Sequence, residues 1–259
     1  TDYTISISPA TAPGENFVGF INRIKVNGKS QQNSSIQLDI IAKVAPNIEV
    51  IRLAFPILEM YEREIYCYAK VFPELIKLCN EHNTVNPLLI FPTFHKASLK
   101  IPNESLLLED MNKEGYVKLD SLKTLDYEHA IYVMKEYGKL HALSFALRVL
   151  KPETFENLKL NLYDQVVQFY EINEKTQECY KSQVSLIKAC IDKEKDKHAY
   201  DLFVKCSEKM LDLVKESVSG ENAGRYGVLG HGDCWVNNYL FKYKESNTIS
   251  SMCILDWQQ

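Results

Sequence analysis

The stretch that most constrains this chain lies between Leu229 and Gln258. It holds a short turn, His231-Gly232-Asp233, an amide at Asn238, and an apolar run, Ser251-Met252-Cys253-Ile254-Leu255, that leads into Asp256. A carboxylate, an amide five positions later and a second carboxylate at the end of a strand are the residue types of a phosphoryl-transfer site. One carboxylate accepts or orients the proton of an attacking hydroxyl. The amide oxygen and the other carboxylate are hard ligands suited to magnesium beside phosphates.

Local patterning supports the same convergence. Val236 to Tyr243 and Ile249 to Leu255 are rich in apolar and β-favouring residues, and the polar loop Lys244-Glu245-Ser246-Asn247-Thr248 separates them. The pattern predicts a hairpin that returns Asp256 to the side of Asp233 and Asn238. The competing reading is an ordinary turn, a capping asparagine and an aspartate that closes a strand. Each residue alone would deserve it, but three oxygen groups in this order weaken it.

Composition removes several function classes. The 259 residues can bury a substantial core as one large domain or two lobes. A net charge of −4 gives no basic footprint for nucleic acid. Seven cysteines, an odd number without a Cys-x-x-Cys pair, point to a reducing compartment rather than a disulfide framework or structural zinc. No secretory signal and no membrane-length apolar run is visible, so a cytoplasmic location is expected, with no membrane and no obligate protein partner.

Along the chain, Phe17 to Val26 and Ile36 to Val44 predict an antiparallel hairpin, with Ile5 and Ile7 hinting at a short strand before it. Gly14, Asn16 and Gly19 are suited to a loop whose backbone approaches phosphates; the plain start of a strand is the alternative. Lys43 lies on an otherwise apolar strand, on one face with Ile41 and Ala45, and a lysine there needs a partner. A helix over Ile57 to Leu78 supplies Glu64 or Glu62, with a kink or an end expected near Pro73. The alternative is an edge-strand lysine and a solvated glutamate face. Two further strands are predicted, Asn86 to Pro92 and Ser105 to Glu109, completing a five-strand sheet. From Asp126 onward the pattern is helical: Tyr127 to Val149, with His141 as a core histidine, then one helix within Phe155 to Ile191 and one over Lys195 to Val218.

His231-Gly232-Asp233-Cys234-Trp235-Val236-Asn237-Asn238 with Ile254-Leu255-Asp256-Trp257-Gln258 resembles the ecdysteroid kinase-like (CHK kinase-like) family of insects and other invertebrates, related to aminoglycoside and choline kinases. Leu106 to Met111 and Leu140-His141-Ala142-Leu143-Ser144 resemble that family's linker between lobes and the helix after it. Glu64-Ile65-Tyr66 matches the family pattern and favours Glu64, while Val18-Gly19 departs from it. The resemblance implies a two-lobed, protein-kinase-like α+β fold. Residues 1–110 would form the nucleotide-binding lobe, a five-strand antiparallel sheet with one helix. Residues 111–259 would form a mostly helical lobe, truncated because the family continues with further helices. It implies ATP and Mg2+ as cofactors and a small hydroxylated molecule, ecdysteroid-like or another lipophilic alcohol, as acceptor. Asp233 would be the base and His231 its brace, Asn238 and Asp256 would hold the metal, and Lys43, fixed by Glu64, would hold phosphates. Gly14 and Asn16 would line the phosphate loop, and backbone near Glu109 and Met111 would meet the adenine. Two rivals stay open: a nucleotide-binding module or pseudokinase without turnover, and a metal-dependent phosphohydrolase using His231, Asp233 and Asp256 as ligands.

Overall fold

In the computed structural model, which describes residues 3–11, 18–29, 34–84, 91–120, 123–162 and 174–258, five strands form the first sheet. They are β1 (Tyr3–Pro9), β2 (Phe20–Lys29), β3 (Ser35–Val44), β4 (Phe94–Ser98) and β5 (Ser105–Glu109). The order is β1-β2-β3-β5-β4 and every pairing is antiparallel. In β5 the two-residue period of a strand buries Leu106 and Leu108 while Leu107 stays partly exposed. Lys43 on β3 lies between Ile21 of β2 and Leu106 of β5, well inside the sheet rather than on its edge.

The strand expected over Asn86 to Pro92 lies largely outside the described residues, which omit 85–90; the strand beside β5 among the described residues is Phe94–Ser98, just beyond Pro92.

The single helix expected over Ile57 to Leu78 is corrected. Helix α1 (Glu49–Ala54) precedes α2 (Ile57–Tyr66), a π-helical turn occupies Cys67–Val71, and α3 (Phe72–Glu81) follows. The N–H of Phe72 reaches back five residues to the Cys67 carbonyl. Pro73, at the start of α3, cannot donate, and its ring presses on the carbonyl four residues earlier; the widened turn relieves both. The interruption expected at Pro73 therefore takes the form of a π turn with the helix continuing past it.

Helix α4 (Tyr127–Leu150) starts at Asp126, whose side chain accepts the His129 N–H, and α5 (Pro152–Lys159) follows directly. Met134 on α4 is 69% exposed, and His141, expected as a core histidine, is only partly buried, edge-on to the Tyr137 ring. Two strands of the predicted hairpin, β7 (Tyr239–Tyr243) and β8 (Ile249–Ile254), pair antiparallel. A two-residue strand, β6 (Val117–Lys118), joins them in the order β6-β7-β8 and is too short to be read from sequence.

The chain divides into two compact units. The first comprises Thr1–Arg52, Ile57–Leu162 and Leu229–Gln259. Its apolar core is continuous: Leu106 of the first sheet, Tyr68 and Phe72 beside the π turn, Leu140 of α4, and Phe241 and Ile254 of the second sheet belong to one cluster. Burying each such side chain contributes about 1.5–3 kcal/mol. The second comprises Leu53–Pro56 and Tyr163–Val228. It holds α6 (Glu174–Cys190), α7 (Lys197–Glu208), α8 (Met210–Val218) and the short α9 (Gly220–Ala223). The one helix expected over Lys195 to Val218 is two, broken at Lys209. The Asp192 side chain accepts the N–H groups of Glu194 and Lys195, turning the chain between α6 and α7. The architecture is α+β, with its elements in kinase-like order.

Candidate active site

Lys43 is the meeting point of both sheets of the first unit. It is 7% exposed, and its Nζ donates to Glu64 Oε2 at 2.8 Å and to Asp256 Oδ1 at 2.7 Å. Burial pulls the amine's pKa down, but the charges of Asp256 and then Glu64 outweigh it, so the net shift is upward and the amine stays charged. Burial pushes the Glu64 carboxyl up against the pull of Lys43. The net direction is upward, with the Lys43 charge and hydrogen bond opposing the burial. Glu62 is exposed, which decides between the two candidate glutamates.

The turn before β7 is built from interlocking hydrogen bonds. Gly232 takes φ 85°, a conformation that suits glycine, and so swings Asp233 back over His231. His231 Nδ1 accepts the Asp233 N–H at 3.1 Å, and its Nε2 lies 2.8 Å from the Leu255 carbonyl. Burial holds the ring's pKa below the ordinary histidine value, in keeping with a neutral imidazole that carries its proton on Nε2 and donates it to Leu255. Both nitrogens are thus engaged in fixing the turn. Asn238 Nδ2 donates to the Asp233 carboxylate and to the Asp233 carbonyl, each at 3.1 Å, leaving the amide oxygen as its ligand atom.

The β7–β8 pairing closes the arrangement. The Leu255 N–H donates to the Asn238 carbonyl at 2.9 Å, so Asp256 follows immediately beyond the point where the two chains meet. Asp256 has φ 64°, a left-handed conformation that aspartate tolerates better than most residues, and its carboxylate turns to Lys43. The Trp257 ring, 3% exposed, packs edge-on to Phe72, Phe91 and His231 and anchors the chain after it.

The structure therefore brings together Lys43, Glu64, His231, Asp233, Asn238 and Asp256. Gly14 and Asn16 lie outside the described residues. Near the linker, the Glu109 N–H donates to the Thr93 carbonyl and its carboxylate accepts from Thr93. Met111 is buried, and its carbonyl already accepts the N–H groups of Glu114 and Tyr116. Sequence reasoning missed the Arg23–Asp110 pair, 2.5 Å, which ties β2 to this linker with Asp110 only 1% exposed. It also passed over Tyr61, whose spacing of three from Glu64 was the available signal.

Two carboxylates and an amide oxygen suit magnesium, which takes its remaining oxygens from water and phosphate. Among the described residues, no cluster of three His, Cys, Asp or Glu side chains is arranged to hold a metal.

In comparison with known proteins, the model of the ecdysteroid kinase-like family matches residues 13–259. No curated protein and no solved structure matches.

Proposed function

The chain belongs to the ecdysteroid kinase-like family, and from that premise we propose that it transfers the γ-phosphoryl group of ATP to a hydroxyl of a small molecule. Membership implies kinase-like phosphotransferase activity on small molecules. The observation that carries the reading is the junction at Lys43, where an amine from the first sheet touches the aspartate that ends the second.

Asp233 is the base: it accepts the acceptor hydroxyl's proton as the new O–P bond forms and the bond to the β-phosphate oxygen breaks, releasing ADP. Asn238 donates to that carboxylate, and His231 fixes the backbone that bears it by accepting the Asp233 N–H. Asn238 and Asp256 would hold Mg2+, which when bound supplies charge neutralisation on the phosphates. Lys43 binds phosphate oxygens and Glu64 keeps the amine charged and aimed. In this reading the backbone near Glu109 and Met111 would border the adenine, and Gly14 and Asn16, which lie outside the described residues, would contribute to phosphate binding. The lobes of this reading divide near residue 110. The acceptor class is a hydroxylated lipophilic molecule, ecdysteroid-like or another alcohol.

One observation favours a second reading, a nucleotide-binding module without turnover. Asp256 Oδ1, a metal ligand in the first reading, is held by Lys43. A screen of hydroxylated metabolites with labelled ATP separates them. Phosphorylated acceptor with stoichiometric ADP supports the kinase; magnesium-dependent ATP binding without product supports the module. Free phosphate released without any acceptor rejects both in favour of hydrolysis.

A further inference from the structure

Tyr61 lies on α2 three residues before Glu64 and therefore on the same helical face. It is 0% exposed, and its hydroxyl makes no hydrogen bond among the described residues. A buried O–H without an acceptor is unfavourable, and a phenylalanine would avoid the penalty. Its position explains what the hydroxyl is for. A Cβ on Gly19 would stand 2.8 Å from Tyr61 Oη and 3.0 Å from the Val44 carbonyl oxygen, and Gly19 has φ +116°. Only glycine lets the backbone close over the hydroxyl in this way.

Tyr61 Oη and the carbonyl of Val44, the residue after Lys43 on β3, lie against the same point of Gly19, and Glu64 stands one helical turn on from Tyr61, which places the hydroxyl near the ion-pair junction. Lys43 can donate but not accept, and neither Glu64 Oε2 nor Asp256 Oδ1, each accepting from Lys43, makes a hydrogen bond to the hydroxyl. What the hydroxyl requires is an acceptor delivered to Lys43 from outside.

We propose that Tyr61 is a further phosphate-binding residue, whose hydroxyl donates to a phosphoryl oxygen of a nucleoside triphosphate held at Lys43, with the Gly19 backbone shifting to admit it. The inference rests on the kinase reading of the same site. It assigns the tyrosine to ligand recognition, so removing the hydroxyl harms binding of phosphates and not the fold.

The test compares the wild-type chain with Tyr61→Phe, using thermal unfolding without ligand and calorimetric titration with Mg-ATP and with adenosine. The variant is expected to unfold at the wild-type temperature or slightly above it, because phenylalanine has no O–H to strand. Its Mg-ATP affinity is expected to fall about ten-fold, as for loss of a hydrogen bond to a charged group. Adenosine, which has no phosphate, should bind both proteins alike. A lower unfolding temperature, an unchanged Mg-ATP affinity or an equal loss for adenosine would overturn the assignment. Absence of Mg-ATP binding by the wild type would remove the kinase reading as well; equal binding by both proteins removes only the role of Tyr61.

Discussion

Asp256 must serve two partners with one carboxylate. In the free protein it neutralises Lys43, and in the proposed reaction it holds a metal beside the phosphates that Lys43 attracts. Asp256→Ala is therefore expected to abolish magnesium-dependent ATP binding, read by titration with and without EDTA. Asp233→Asn keeps the shape of the turn but cannot take a proton. Its kcat should fall by about a hundred- to ten-thousand-fold while ATP binding persists, as single-turnover and binding measurements would separate. His231 gives a pH dependence. Its folded pKa is depressed mainly by burial, so the unfolded chain takes up a proton first as pH falls. The stability it contributes is complete above the ordinary histidine value and is lost as pH falls from there through the folded pKa. A wild-type unfolding midpoint that drops from pH 7 to 5 more steeply than that of His231→Asn would verify this sign. These residues were legible because their chemistry is local: oxygen groups at fixed spacing and a lysine on an apolar strand. Tyr61 was not, since an aromatic on a helix reads as core until its hydroxyl is seen to lack an acceptor.

Elements carry the site through a few buried polar joints. Ser144 on α4 is fully buried, and its Oγ accepts the Leu229 N–H at 2.7 Å, fixing the chain just before the catalytic turn. Ser144→Ala leaves that N–H without a partner and is expected to lower unfolding free energy by about 1–3 kcal/mol in urea denaturation. It should lower activity too, because the turn loses its support. At this scale the hairpin, the long helix and the strand bearing Lys43 were legible from their strong periodicity. The sequence reading merged α2 and α3 and overlooked α1, β4 and β6. Each miss has a physical source: a π turn that kept a helix going past a proline, and segments too short to carry a period.

For the whole molecule, a ligand that binds only the folded state must stabilise it by mass action. Mg-ATP at about 100 times its Kd should raise unfolding free energy by about 2.7 kcal/mol, an increase that EDTA removes. No thermal shift with Mg-ATP would count against both nucleotide readings. No helix among the described residues is long and apolar enough to cross a membrane. By itself the sequence determined the residue types of the site, the strands that carry them and the family, because spacing along a chain records which side chains share a strand or a turn. Only the tertiary structure decided that Lys43 bonds Asp256 as well as Glu64, that His231 uses both nitrogens on the turn, and that the Tyr61 hydroxyl is buried with no hydrogen bond among the described residues. Lys43 and Asp256 are 213 positions apart, and no local pattern specifies a contact across that distance. The packing of one continuous core between the two sheets does.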